Sequence, residues 1–215
     1  SIAAVNTVVF DGAERIGYNT DYNAAMDCLE HSLGEIGEQP SPLANKRVLV
    51  LGAGGVARPI VFGCRKRGAS VTIASRTMKR SERLAEAFDA KAVEWESRHR
   101  VNCDVIVNCT PIGMHPNVDE SPIGKTYLKP SMLVFDTVYN PETTLLVKDA
   151  RSRPCNVITG VEMFVRQAQL QFYLFTRKEG SAARMHKTVK RVIGPLRDWS
   201  GEDAGEEPNG DGEAS

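Results

Sequence analysis

Residues 47–57 read RVLVLGAGGVA. Four consecutive large apolar side chains (Val48, Leu49, Val50, Leu51) leave a strand with no solvent face. Such a strand must be covered on both sides, as a central strand of a parallel sheet flanked by helices is. The turn that follows narrows the choice further. In a G-x-G-x-x-A sequence the first glycine, Gly52, makes the tight turn. The second, Gly54, lets backbone approach a pyrophosphate, and the small Ala57 lets helix and strand pack closely. Free N–H groups at the start of the next helix can then hold phosphate. Gly52, Ala53, Gly54, Gly55 and Val56 are therefore candidate cofactor contacts. The competing reading is a plain glycine turn, but the strand before it and the helix after it supply the context a dinucleotide site needs.

The rest of the chain repeats this alternation. Strands are expected over 71–74, 92–95, 105–108, 133–136 and 157–158, and helices over 55–67, 78–88 and 144–151. Together they predict an α/β fold with a Rossmann-like, doubly wound parallel sheet. Ahead of it lie two short strand-like runs, 5–10 and 15–18, and a helix ending at Leu33. On that helix Tyr22, Ala25, Met26, Leu29 and Leu33 share one face. Helices are also expected over 161–176 and 181–199. The expected domains are a remnant of a second unit with a hinge helix (1–33), a dinucleotide-binding domain (45–160) and C-terminal helices packing back toward the second unit (161–199). An acidic, disordered tail (200–215) completes the chain.

The end of the second sheet strand selects the cofactor. A NAD site places Asp or Glu there to accept the ribose 2′-OH. This chain has Ser75, Arg76, Thr77, Met78, Lys79 and Arg80. Three bases and two hydroxyls without an acid suit the 2′-phosphate of NADP, through charge-assisted hydrogen bonds. A solvated basic helix face is the alternative. Residues 108–110, 136–139 and 159–160 also fall at or just past strand ends, and these gather along one edge of a parallel sheet. Thr110 in the turn after 105–108 is a candidate cofactor contact on that ground.

Composition removes other classes. The 27 basic and 27 acidic residues balance, but six acids and no base lie in 200–215, leaving an excess of six bases before them. That suits an anionic ligand and is too mild to indicate nucleic acid. No apolar run approaches a membrane span. Five scattered cysteines with no paired metal-ligand spacing read as reduced thiols of a cytoplasmic protein, with no metal site. The chain begins without Met in the middle of an apolar run and reads as a fragment.

The runs AAVNT (3–7), GYNTD (17–21), VLGAGGVAR (50–58), SRTMKR (75–80), NCTPIGM (108–114), DTVYNP (136–141) and GVEMFVRQA (160–168) together resemble the shikimate dehydrogenase family. In finer wording they look like the dehydrogenase half of fused dehydroquinate dehydratase–shikimate dehydrogenases, so a dehydratase domain upstream is an expected partner. The resemblance implies NADP-dependent hydride transfer between shikimate and 3-dehydroshikimate. It implies Asp21 as a catalytic residue sharing a proton with a substrate hydroxyl. Asn6, Asp21, Tyr139 and Gln167 are implied substrate contacts, and Thr137 and Gly160 cofactor contacts near the nicotinamide. The family's catalytic Lys lies upstream of the segment resembling 3–7, so this chain is expected to bind NADP yet turn over shikimate poorly. Two alternatives stand beside this reading: a quinate/shikimate dehydrogenase using NAD, and a non-catalytic dinucleotide-sensing module.

Overall fold

The computed structural model describes residues 2–34 and 39–193. An antiparallel pair, β1 (Thr7–Asp11) and β2 (Glu14–Tyr18), leads into helix α1 (Thr20–Leu33). Six parallel strands follow: β3 (Arg47–Leu51), β4 (Ser70–Ser75), β5 (Lys91–Glu94), β6 (Val105–Asn108), β7 (Leu133–Asp136) and β8 (Asn156–Ile158). The helices between and after them are α2 (Ala57–Lys66), α3 (Met78–Ala87), α4 (Leu145–Ser152), α5 (Gly160–Thr176) and α6 (Ala182–Ile193). The strand order is β5-β4-β3-β6-β7-β8. The chain builds outward from β3 on one side, then crosses back to build β6, β7 and β8 on the other. That reversal defines the doubly wound, Rossmann-like sheet, and it leaves a crevice between the carboxyl ends of β3 and β6.

The unbroken apolar strands divide their side chains between two cores. Val48, Val50, Val105, Val107, Leu133 and Phe135 point to one face, where α1, α2 and α3 cover them. Leu49, Leu51, Ile106 and Val134 point to the other, under α4 and the segments carrying Cys103, Ile123 and Leu128. The period-two alternation of a strand thus satisfies both faces at once. Helix α1 belongs to the first core: Ala24, Ala25, Met26 and Leu29 are fully buried in it. No helix among the described residues is long and apolar enough to cross a membrane.

Several boundaries differ from expectation, most for a local reason. The first strand begins at Thr7 rather than residue 5, and just before it the Asn6 side-chain carbonyl accepts from the Thr20 N–H (2.9 Å). Helix α2 begins at Ala57, since Gly55 and Val56 complete the turn. The outer strand ends at Glu94, and Trp95 opens a 3-10 turn (Trp95–Arg100) that no periodicity announced. Thr144 lies outside α4 as its cap, its hydroxyl accepting from the Val147 N–H at 3.2 Å. Helix α5 starts at Gly160, held by a capping box between Thr159 and Glu162. The expected C-terminal helix is seen as α6. Its continuation past Ile193 and the acidic tail lie outside the described residues.

At the carboxyl edge, the loops after β6 and β7 are braced by a buried polar pair. Asn108 and Asp136 are both fully buried, and the Asn108 amide donates to the Asp136 carboxylate at 2.9 Å. Asp136 also accepts from the Val138 N–H (3.0 Å) and the Thr144 hydroxyl (2.6 Å). Asp136→Ala would leave three donors without an acceptor. It should cost about 3 kcal/mol, and at ~2–4 °C per kcal/mol lower the melting temperature by roughly 10 °C. Calorimetry checks this, and a shift under ~2 °C would show that the pair does not brace the edge.

Candidate cofactor and substrate site

The parallel register brings the strand ends flush. Leu51 pairs with Ala74 and Asn108, and Asn108 with Asp136. The residues that follow, Gly52, Ser75, Cys109 and Thr137, therefore stand along one edge. Backbone hydrogen bonds tie them there: Gly52 N–H to Ala74 O (2.7 Å), Cys109 N–H to Leu51 O (2.7 Å) and Thr137 N–H to Asn108 O (3.0 Å).

A groove of about 170 Å³ opens on this edge, lined by Gly52, Ala53, Gly54, Ser75, Arg76, Thr77, Arg80, Trp95, Cys109, Thr110 and Pro111. Gly52 sits at φ +105°, and a β-carbon there would lie 2.8 Å from the Cys109 carbonyl oxygen. Only glycine permits both the turn and that approach. Gly54 and Gly55 are exposed, with nothing within 4 Å of where a β-carbon would be. Open backbone thus leads into α2, whose start has no side-chain cap, and its N–H groups remain available to an anion. Val56 is half-buried and packs on the core beneath the turn.

Arg76, Thr77 and Arg80 are exposed at the groove's rim. No ion pair or side-chain hydrogen bond engages the two guanidinium groups among the described residues, and the Thr77 hydroxyl does not cap α3. Ser75 differs. It lines the groove, but it is buried, and its hydroxyl donates to Thr77 O (3.0 Å) and pairs with the Ser81 hydroxyl (2.7 Å). Its role in the structure is to shape the β4–α3 turn. Thr110 is positioned by Asn108, whose carbonyl accepts from its N–H (3.0 Å) and hydroxyl (2.7 Å). A dinucleotide fits this donor set: a glycine cradle, an uncapped helix start and free cations.

Farther along the edge, Thr137 donates its hydroxyl to Asn108 O at 2.8 Å. Gly160 starts α5 directly against this strand end. A β-carbon there would overlap the Val138 carbonyl and lie 2.8 Å from that of Thr137. Tyr139 is exposed, with its ring 5.0 Å from that of Phe164 on α5.

Two of the candidate substrate residues, Asn6 and Asp21, lie in a second cluster with Thr7, Thr20 and Gln171 where α1, α5 and β1 meet, while Tyr139 stands apart at the β7 end. The Asn6 carbonyl accepts from the Thr20 N–H, the Thr20 hydroxyl (3.2 Å) and the Thr7 hydroxyl (3.1 Å). The Asp21 carboxylate, in the first turn of α1, is near enough to the Asn6 side chain for that side chain to lower its pKa. Gln171 donates to the Thr7 (3.2 Å) and Thr20 (3.4 Å) hydroxyls. Gln167 stands one turn earlier on the same face of α5. Burial pushes the Asp21 carboxyl above its ordinary range, against the lowering effect of the Asn6 side chain. A half-buried carboxyl with a raised pKa, beside a polar cluster, is equipped to exchange a proton. Thr7, Thr20 and Gln171 were not anticipated from sequence. The i, i+4 spacing of Gln171 from Gln167 was the available signal. Trp95 in the groove was likewise missed, whereas Cys109 and Pro111 belong to the strand-end segment expected on this edge.

Comparison with known proteins fits this geometry. Residues 47–138 match the family model described as NADP oxidoreductase coenzyme F420-dependent. The chain is 34% identical over 200 residues to a shikimate dehydrogenase (NADP(+)) of Bacillus cereus, covering 90% of this chain and 70% of that protein. The chain belongs to the shikimate dehydrogenase family. It is also 42% identical over 188 residues to the chloroplastic bifunctional 3-dehydroquinate dehydratase/shikimate dehydrogenase of Arabidopsis thaliana. That match covers 82% of this chain but spans 31% of the plant protein. A solved shikimate dehydrogenase in complex with NADP+ superimposes with a TM-score of 0.78 at 32% identity, over 89% of this chain and 68% of that one.

Because the folded-state pKa of Asp21 is raised, the fold favours its protonated form. The ionised form costs stability above that raised value, and the cost vanishes below the unfolded pKa of about 3.9. Asp21→Asn should therefore raise the urea midpoint at pH 7, with the gain shrinking as pH falls toward about 4. An unchanged or lower midpoint at pH 7 would contradict the burial argument.

Proposed function

We propose that this chain is the NADP-binding part, with the adjoining edge of the substrate site, of an NADP-dependent shikimate dehydrogenase interconverting 3-dehydroshikimate and shikimate. The observation that carries the reading is the groove at the switch point, where a glycine cradle opens beside Arg76, Thr77 and Arg80 with no acid among them. The N–H groups at the start of α2 hold the pyrophosphate, and the two guanidinium groups with the Thr77 hydroxyl hold the 2′-phosphate. Thr110, Thr137 and Gly160 stand along the same edge to position the other half of the cofactor. When bound, NADP supplies or accepts the hydride.

The residues of the second cluster hold the substrate. Asn6 offers both an amide donor and an acceptor to a polyol, and Gln167 and Tyr139 approach from α5 and the β7 end. Asp21 shares a proton with a substrate hydroxyl, and its raised pKa keeps that exchange accessible nearer neutral pH than an ordinary carboxylate would. A Lys supplied by a preceding segment, as the family resemblance implies, would complete the acid–base pair. A covalently joined dehydroquinate dehydratase is a further candidate partner, since the Arabidopsis relative carries that name. Four of the five free thiols are buried, and we place the protein in the cytoplasm.

The missing acid at the β4 end favours NADP over NAD, and calorimetric titration of the chain with each cofactor tests it. NADP+ should bind well ahead of NAD+. Arg76→Ala with Arg80→Ala should weaken NADP+ by about 10²- to 10⁴-fold, since hydrogen bonds to charged groups contribute ~1.5–3 kcal/mol each, and leave NAD+ nearly unchanged. Equal loss for both cofactors would show that these residues do not read the 2′-phosphate. In the whole protein, Asp21→Asn should reduce shikimate-dependent NADPH formation by roughly 10²-fold or more, and retained activity would remove Asp21 from the chemistry.

A further inference from the structure

One aromatic ring lines the cofactor groove, and the roles given above do not use it. Trp95 lies just past the end of β5, at the start of the 3-10 turn, beside the β4 end where the basic cluster stands. Its placement is built. The Arg98 guanidinium stacks over the indole, 4.0 Å from its centroid. That guanidinium is itself fixed, donating Nη1 to Trp95 O (2.6 Å) and Nε to Pro122 O (2.7 Å). The indole is thus backed by a cation held on two carbonyls, while it remains part of the groove wall with Thr110 and Pro111.

Within this groove the glycine turn accounts for the pyrophosphate and Arg76, Thr77 and Arg80 for the 2′-phosphate. The adenine base, one ribose away, needs an apolar planar surface close to the basic cluster. We propose that Trp95, backed by Arg98, is the platform on which the adenine of the cofactor stacks. The inference rests on the dinucleotide reading and adds a residue that binds the base. Arg98 is a positioning residue that acts through the indole.

The chain contains two tryptophans, Trp95 and Trp199, so a Trp199→Phe variant carries Trp95 as its one indole. Adenosine 2′,5′-bisphosphate should quench its fluorescence saturably, and nicotinamide mononucleotide should not. Trp95→Ala should weaken adenosine 2′,5′-bisphosphate about 5- to 100-fold, the range expected for one base–aromatic stack, and Trp95→Phe should restore most of that loss. Circular dichroism and melting curves confirm that the variants are folded, and should Trp95→Ala not fold, the quenching and the Trp95→Phe affinity decide. A silent Trp95 signal on saturation, or a folded Trp95→Ala variant that binds as the parent does, would overturn the proposal. If binding also falls on Arg76→Ala, only the stacking role is lost. If neither adenosine 2′,5′-bisphosphate nor NADP+ binds the parent chain, the dinucleotide reading falls and this proposal with it.

Discussion

The hydrogen bond between Asn108 and Asp136, buried between neighbouring strands, organises the ligand-bearing edge. Asn108 directs its carbonyl to Thr110 and its amide also to Ile112 O, which fixes the loop leaving β6. Asp136 gathers Val138 and Thr144, which fixes the loop leaving β7 and caps the helix beyond it. Thr137 returns two hydrogen bonds to Asn108 O, through its N–H and its hydroxyl. Loops of irregular backbone become rigid when their polar groups converge on a partner that water cannot replace. The switch-point crevice keeps its shape through this pair.

Asp21 and Asp136, like Asp27, have raised pKa values for the same first reason, burial, and the surroundings of the first two separate their roles. Asp136 is surrounded by three donors, and a carboxylate so satisfied is a brace. Asp21 is half-buried at a helix start, and the Asn6 side chain is the neighbour that lowers its pKa. It keeps lone pairs to offer a ligand. A raised pKa is common to both carboxylates, and the proton exchange proposed for Asp21 rests on the lone pairs it leaves open.

Much of this was legible in the sequence because the governing constraints are local. Uninterrupted apolar strands, glycine-ended helices and the G-x-G-x-x-A turn each speak within a window of a few residues, and they predicted the sheet, its order of elements and the groove. The basic cluster was legible for the same reason, since all its residues fall within positions 75–80. What stayed hidden depends on contacts between distant segments. Gln171 meets Thr7 across 164 positions, and no pattern near either residue announces the meeting. Ser75 stands at a strand end as a ligand group would, and its hydroxyl is engaged by that of Ser81, six residues on, a contact no local pattern announces. Trp95 sits where a strand gives way to a 3-10 turn, outside both periodicities.

The placement of α1 bears on how such a protein can be assembled from parts. Its buried face, Ala24 to Leu29, lies in the same core as the cofactor sheet, and Met26 packs so closely on Gly63 of α2 that a β-carbon there would force the methionine side chain to shift. The same helix begins with Thr20 and Asp21 in the substrate cluster. The border between the proposed cofactor and substrate halves therefore runs through a helix and is not a linker. Recombination that exchanged one dinucleotide-binding half for another would have to carry α1 across with it, and with α1 the residues proposed to touch substrate. Cofactor choice and substrate choice are in this way inherited together, and new specificities must arise by substitution inside the unit.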